Sequence, residues 1–573
     1  MMNFRQWMQA TRRQPRSGQQ LRRQQVAWAR NASQRMNVNQ TPRSRLLTVG
    51  ACMTLAACAS GNSILQAGND GTKPPPVTMA PGATAGAPTT IQMFPSGGGA
   101  GQTTIQLGAP STSAADGPTG FAGAPGVTIP MAGNSDFAPC PVGAHEDAAA
   151  PVPIQFWHTM QSAQGEALAT LTEQYNASQD QVVVELVNQN GYEEQIDKYF
   201  QASDQDRPEL VQMPEYMLQQ MADANTVVAT TACIQTDAFD IEPFLQRAMF
   251  AYQTEGVQWG MPFNISSPVL YYNKAIFEEA GLDPEVPPVT LDELREFSQQ
   301  IVDSGAAAYG IALDSGVNSG GGWFLEQWLA RAGLPYTDNG NGRQGRATQV
   351  LFNTPEAAEM LTFAQELVND ELAVYVGEDP QGIDGLLRMA DPQQRAAMTI
   401  ATSGALGGVL DFVEGGAIAG ITSEQIGVGP MPGPSETPSA IIGGAALYIV
   451  RDQGDAEAAA AWDYIKFMIS AESQSLWSAQ TGYAPIRDDA TGIEPLAETL
   501  SADPRFRVAY DQINVSAEDF SAVGPALGPL REIRQVTAAM MADIYSGVSV
   551  EDALADAADQ ANLLIEDYDT RNE

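Results

Sequence analysis

The sequence predicts an α/β fold with largely parallel sheets, and three observations carry that expectation. From about Ala150, short apolar runs alternate with amphipathic helical stretches. Each run is followed by a polar or glycine-containing segment, as where strands of such sheets end at a ligand crevice. No later apolar run approaches the roughly 20 residues that span a membrane. In chain order, "PIQFWH" (Pro153–His158) is a strand, and "QGEALATLTEQYNAS" is a helix with Ala163, Ala167, Leu168, Leu171 and Tyr175 on one side. "QVVVELV" is a second strand, "GYEEQIDKYFQAS" opens a second helix, and "ELVQMP" followed by "EYMLQQMADA" repeats the unit. At the other end, Ser549 with Asp552 marks a helix start, and Leu554, Ala558, Ala561 and Ile565 form its apolar face.

The first part of the chain has a different character. Residues 1–57 hold ten Arg and no Asp or Glu, and without them the formal charge goes from −39 to −49. Arg43 and Arg45 precede a mostly apolar run, Leu46–Ala57, too short to be a good membrane span, and "LAAC" ends at Cys58. This pattern resembles the bacterial lipobox, which implies cleavage before Cys58, acylation of that residue and anchoring at the outer face of the cytoplasmic membrane. Residues 1–57 are therefore expected to be leader and signal peptide. Residues 58–149, rich in Gly, Ala, Pro and Thr, are expected to be a disordered tether. Cys140 and Cys233 remain as an even pair in an oxidising compartment, which predicts a disulfide; two separate thiols are the alternative.

Composition excludes several functions. The 68 acidic residues repel nucleic acid and anionic lipid. Only His145 and His158 are present, so no multi-histidine zinc site can form. Neither a G-x-S-x-G nucleophile turn nor a Walker loop nor a G-x-G-x-x-G motif occurs, and "GGGW" at Gly320–Trp323 lacks phosphate-loop spacing. The expectation is a protein with no catalytic residue, metal or cofactor.

What remains is a series of short segments at strand ends: "NQNGYEEQ", "VQMPEYM", "PFNISSPVLYYNK", "TIATSGAL", "AIIGGAALYIV", "TGYAPI" and "LGPLREIRQV". In this order they resemble the extracellular solute-binding proteins of ABC importers, in particular the branch that binds sn-glycerol-3-phosphate and glycerophosphodiesters such as glycerophosphocholine. The resemblance spans most of residues 153–567. It implies a two-lobed periplasmic-binding fold, type II-like, with a ligand cleft between lobes. Lobe one is expected over 150–262 plus 440–487, and lobe two over 263–439 plus 488–573. A monomer delivering its ligand to the transmembrane subunits of a permease is implied as well.

The resemblance also assigns ligand-binding residues. Tyr192 and Glu215 would contact the glycerol hydroxyls or the group beyond the phosphate, and Ser266 is the hinge serine. Gly444 would let backbone approach the ligand, and Thr402 and Ser403 keep hydroxyls for phosphate. Tyr483 and Arg534 would clamp the phosphate, because guanidinium offers a planar fork to it. Leu291 stands where a Trp encloses the small glycerol head in relatives, which implies more space and a larger ligand. Trp323, Tyr216 and Glu215 would then suit a quaternary ammonium. A sugar or oligosaccharide binder of the same fold is the alternative, and a secreted phosphodiester hydrolase is the rival from another class.

Overall fold

Two five-stranded sheets, each with its own helices, form the architecture. The computed structural model describes residues 137–379, 384–416, 420–516 and 520–572. The leader, Cys58 and the tether as far as residue 136 lie outside the described residues. Residues 137–149, expected in the tether, instead belong to the folded part. A 3₁₀ turn at Ala144–Asp147 follows Cys140, which is buried and joined by a disulfide to Cys233. Cys233 lies within the helix Thr230–Asp237 rather than in a loop. The bridge closes 93 residues of chain. Loop-closure entropy for that length is worth up to about 4–5 kcal/mol. Replacing both cysteines by Ser is expected to lower the thermal midpoint by several degrees in calorimetry, and an unchanged midpoint would show that the bridge constrains nothing.

The first sheet contains β1 (Val152–His158), β2 (Val182–Asn188), β3 (Leu210–Pro214), β6 (Met261–Ser266) and β12 (Gly443–Ile449), in the order β2-β1-β3-β12-β6. β1 runs parallel to β2 and β3, whereas β12 is antiparallel to β3 and β6. A two-stranded hairpin, β4 (Gln253–Thr254) with β5 (Val257–Gln258), precedes β6. The second sheet contains β7 (Pro268–Asn273), β8 (Tyr309–Leu313), β9 (Ala373–Tyr375), β10 (Ala396–Thr402) and β11 (Ile426–Pro430), in the order β11-β7-β10-β8-β9. β6 and β7 are buried at every position. That burial is why "VLYY" reads as a continuous apolar run rather than an alternating one.

Three crossings join the lobes. The first is a single residue: β6 ends at Ser266 and β7 starts at Pro268, so lobe one extends to Ser266 rather than to 262. At the second, the Gln327 side chain holds the backbone of Ile441 at both N–H (2.8 Å) and C=O (3.1 Å), so the chain leaves lobe two only after that residue. The third comes later than 488. Ser475 Oγ, on a lobe-one helix, donates to Ile493 O (2.8 Å) and accepts from Leu496 N (3.1 Å). The chain first grips lobe two where Arg505 donates to Ser423 O (2.6 Å) and Ile426 O (3.1 Å). Gln512 ties two crossings together. It donates to Ser267 Oγ (2.9 Å) and Pro268 O (3.0 Å) and accepts from Met431 N (2.9 Å).

Candidate functional site

Strand ends from both sheets converge on one cleft of about 150 Å³. Lobe one supplies Tyr192, Pro214, Glu215, Tyr216, Ser266, Gly444 and Tyr483, and lobe two supplies Asn318, Trp323, Thr402 and Arg534. Eight of the ten residues expected to bind ligand are brought together here.

The other two are not. Leu291 starts the helix Leu291–Ser304 behind a Thr290–Glu293 capping box and lines a separate acidic groove with Asp292, Glu356 and Glu359. It therefore has no part in the size of this cleft. Ser403 is buried under the first crossing, where its N–H donates to Ser267 O (2.9 Å) and its hydroxyl accepts from Ser267 N (3.3 Å). It holds the hinge rather than the ligand. Gly444 does line the cleft, but its lack of a side chain has another cause: at φ +101° a Cβ would meet Asn264 O at 1.9 Å. The β12–β6 register shifts between Ala445 and Ala446, and the irregular backbone there requires glycine.

A buried amide relay positions the lobe-one wall. Gln212 accepts from Thr159 N (3.0 Å) and donates to Asn264 Oδ1 (2.7 Å), and Asn264 donates to the Tyr192 hydroxyl (3.2 Å). Burial raises the Tyr192 hydroxyl well above its usual value, with the Tyr483 hydroxyl adding to the effect. Burial likewise pushes Tyr483 up to about 12, partly offset by its hydrogen bond with Asn264. Both phenols are neutral donors at physiological pH. The Tyr483 ring stacks on Trp477, with centroids 5.6 Å apart.

The lobe-two wall rests on the "GGGW" segment. Asp314 Oδ1 accepts from Gly316 N (2.7 Å), Gly320 N (3.1 Å) and the Ser319 hydroxyl, and so folds the loop that carries Asn318. Burial pushes this carboxyl up to about 6 against those hydrogen bonds. Gly322 lies so close to its surroundings that a Cβ would stand 2.1 Å from Val317 O and 3.0 Å from Arg534 Cγ. The glycines thus serve close packing, not a phosphate cradle. The helix Trp323–Arg331 follows. The Trp323 ring occupies the space a Cβ of Gly443 would fill, and its buried indole N–H has no acceptor among the described residues.

The electrostatic centre is Arg534, on the helix Leu530–Tyr545, only 3% exposed. Its Nε and Nη2 donate to Glu326 Oε1 (2.7 Å) and Oε2 (2.8 Å), a fork-to-fork pair, and Nη2 also donates to Glu215 Oε1 (3.0 Å). The guanidinium lies 4.8 Å from the centre of the Tyr216 ring, close enough for a cation–π contact. Nη1 takes no part in these bonds. Burial by itself would lower Arg534, but Glu326 and then Glu215 more than reverse this, and the side chain stays a cation. Burial raises Glu215; Arg534 pulls it back, Glu326 pushes it further up, and it ends above the usual carboxylate range. Glu326 is the partner of Arg534, then, and Glu215 is the surplus acid. Glu326 carries no motif of its own in the sequence. Only its position on the same helix as Trp323, one turn on, could have pointed to it.

Further contacts draw the lobes together around the cleft. Arg531 donates to Glu193 (2.6 Å) and Asp197 (2.8 Å), Arg346 pairs with Asp223 (2.9 Å), and Gln164 donates to Gly404 O (2.6 Å). Arg531, on the same helix as Arg534, is one of these interlobe ties.

A cleft between two α/β lobes, walled by aromatic and hydroxyl groups, is a receptor for a small solute. The family model described as bacterial extracellular solute-binding protein matches residues 170–507, more than half of the chain. The chain belongs to that family. Among curated relatives, the sn-glycerol-3-phosphate-binding periplasmic protein UgpB of Escherichia coli K12 is 26% identical over 437 residues, covering 74% of this chain and 94% of its own. That of Salmonella typhimurium is 27% identical over 431 residues, covering 73% and 93%. Among solved structures, UgpB from Mycobacterium tuberculosis in complex with glycerophosphocholine aligns with a TM-score of 0.61 at 20% identity, covering 73% of this chain and 99% of that one. The cyclic α-maltosyl-1,6-maltose binding protein from Arthrobacter globiformis aligns with a TM-score of 0.59 at 22% identity, covering 73% and 100%. These structural likenesses establish the two-lobed solute-binding fold. The matched relatives are named as binding proteins rather than enzymes. Among the described residues no helix is long and apolar enough to cross a membrane, and no cluster of three or more potential ligands could hold a metal ion.

Proposed function

We propose that this solute-binding protein captures a zwitterionic glycerophosphodiester, with glycerophosphocholine as the representative, and hands it to the permease without chemical change. The observation that carries this reading is the charge of the cleft. Arg534, Glu326 and Glu215 together hold one positive and two negative charges in contact. A phosphomonoester such as glycerol-3-phosphate adds about −1.5 to −2 at pH 7 and would meet a surplus acid. A phosphodiester with a quaternary ammonium has no net charge. Its phosphate finds Arg534 Nη1 and the hydroxyls of Ser266, Thr402 and Tyr483. Its cation finds Glu215 with the rings of Tyr216 and Trp323, the combination suited to an ammonium without N–H groups. The preference for diester over monoester thus rests on Glu215 and Glu326, and not on Leu291.

The test is calorimetric titration of the purified protein with glycerophosphocholine, glycerol-3-phosphate and maltose. Glycerophosphocholine is expected to bind most tightly. The aromatic walls favour maltose as the second reading, and tight maltose binding with no response to either phosphate ester would replace the first. Release of choline from glycerophosphocholine by the purified protein would make it a hydrolase.

A pH dependence follows from Glu215. Its raised carboxyl takes up a proton above the usual carboxylate range as pH falls. Neither the quaternary ammonium nor the phosphodiester of the ligand titrates there, so the change belongs to the protein. Between pH 7.5 and 5 the affinity for glycerophosphocholine is expected to fall by up to about tenfold, the equivalent of ~1.4 kcal/mol. Constant or rising affinity would remove Glu215 from the cation site. The fold itself responds with the opposite sign: the native state holds this proton more tightly than the unfolded chain, so through this group stability declines as pH rises across the same window.

The lipobox ending at Cys58 supports anchoring at the outer face of the membrane, with the tether between anchor and receptor. Cys58→Ser is expected to release the full chain from the membrane fraction, and retention there would argue for another anchor.

A further inference from the structure

We infer that Glu326, which does not line the cleft, is the positioning residue that sets its ligand charge class, by occupying the face of Arg534 that a phosphate dianion would otherwise take. This inference rests on the assignment of the cleft as the ligand site.

A guanidinium binds a phosphate or a carboxylate best edge-on, two parallel N–H donors to two oxygens. Arg534 has two such edges: Nε with Nη2 is fully engaged by the two oxygens of Glu326 at 2.7 and 2.8 Å, and on the Nη1–Nη2 edge the second Nη2 hydrogen goes to Glu215 at 3.0 Å. The Glu326 side chain is 1% exposed. A carboxylate so enclosed is fixed by its partner and is not displaced by a ligand arriving from water. The remaining nitrogen, Nη1, offers a ligand a single-point contact instead of a fork. Glu326 also cancels the charge of Arg534, which leaves Glu215 uncompensated at the cleft wall. Together these effects admit a phosphodiester monoanion whose cationic end faces Glu215, and exclude an inorganic phosphate or phosphomonoester that needs the full fork. A hydrophobic residue at 326 could pack equally well, so burial alone does not account for a charge there.

The experiment compares the wild-type protein with Glu326→Gln and Glu326→Asp, titrated with inorganic phosphate, glycerol-3-phosphate and glycerophosphocholine. Gln keeps one acceptor for Arg534 and removes the charge, whereas Asp keeps the charge. In Glu326→Gln, inorganic phosphate binding is expected to appear, and the affinity ratio of glycerol-3-phosphate to glycerophosphocholine is expected to rise at least tenfold. Glu326→Asp is expected to gain no phosphate binding. The gain should vanish when Arg534→Ala is added to Glu326→Gln. A purely structural Glu326 would weaken all three ligands together in both variants, and that result, or a folded Glu326→Gln with the wild-type ratio and no phosphate binding, overturns the inference. If Glu326→Gln does not fold, Glu326→Met, which frees the same edge of Arg534 and keeps the side-chain volume, must show the phosphate gain, and its absence overturns the inference equally. Failure of the wild type to bind glycerophosphocholine would count against the proposed ligand alone, because the phosphate readout needs no glycerophosphodiester.

Discussion

Arg534→Ala is expected to destabilise the protein by about 3–5 kcal/mol, besides removing ligand binding, because it strands a buried carboxylate. From sequence, Arg534 is only a phosphate clamp. The contacts of Glu326 change that expectation: its side chain is 1% exposed, and among the described residues both oxygens are satisfied by Arg534 alone. Without the guanidinium, Glu326 must either stay charged without a partner or bind a proton, and Glu215 lies beside the same gap. Replacing a whole buried pair by apolar residues is often neutral or stabilising. The double variant Arg534→Met/Glu326→Met should therefore recover most of the lost stability while remaining unable to bind ligand. Denaturant unfolding followed by titration separates the two effects. A single variant as stable as wild type would show that the pair contributes nothing to the fold, and recovered binding in the double variant would remove Arg534 from the site.

Trp323→Ala should have an effect of comparable size for a different reason. Trp323 is 6% exposed, fills the space beside Gly443 and presents a face to the cleft. Truncating a packed Trp to Ala typically loses about 3–5 kcal/mol of stability through transfer and cavity terms. Loss of the aromatic wall should weaken glycerophosphocholine by about one to two orders of magnitude if the ring faces the ammonium, consistent with ~2 kcal/mol for a desolvated cation–π contact. Trp323→Phe keeps a ring and most of the volume, so it should recover stability and a large part of the affinity. Equal affinity in Ala and wild type would show that the ring faces no part of the ligand.

The fold was legible where pattern and burial agree. "PIQFWH", "QVVVELV" and "ELVQMP" form β1, β2 and β3 because their apolar positions match one buried sheet. Ala558, Ala561 and Ile565 are buried on the C-terminal helix, and Ser549 Oγ accepts from Asp552 N (3.3 Å). Boundaries were less legible. The third crossing follows Ser475 and Arg505, whose grip on distant backbone leaves no local signature. Segments 137–149 looked like tether because their composition hides a burial that depends on the partner of Cys140.

In the cleft, the sequence by itself determined which motif residues meet. Tyr192, Glu215, Ser266, Thr402 and Gly444 each stand at a strand end or a helix start, and strand ends of such sheets converge; Tyr483, just past the helix Ala471–Thr481, and Arg534, in the second turn of the helix Leu530–Tyr545, join them. In "PFNISSPVLYYNK", the resemblance already implied a hinge serine at Ser266, and the single residue Ser267 performs the crossing. What only the tertiary structure decided is the charge that the cleft offers a ligand. An arginine in a motif reads as a phosphate fork whatever lies behind it. Whether that fork is open depends on Glu326, 208 residues earlier in the chain. The reason is physical: burial makes a pair of opposite charges choose each other, and the choice is made by the packing of two helices against one another, which no local pattern records.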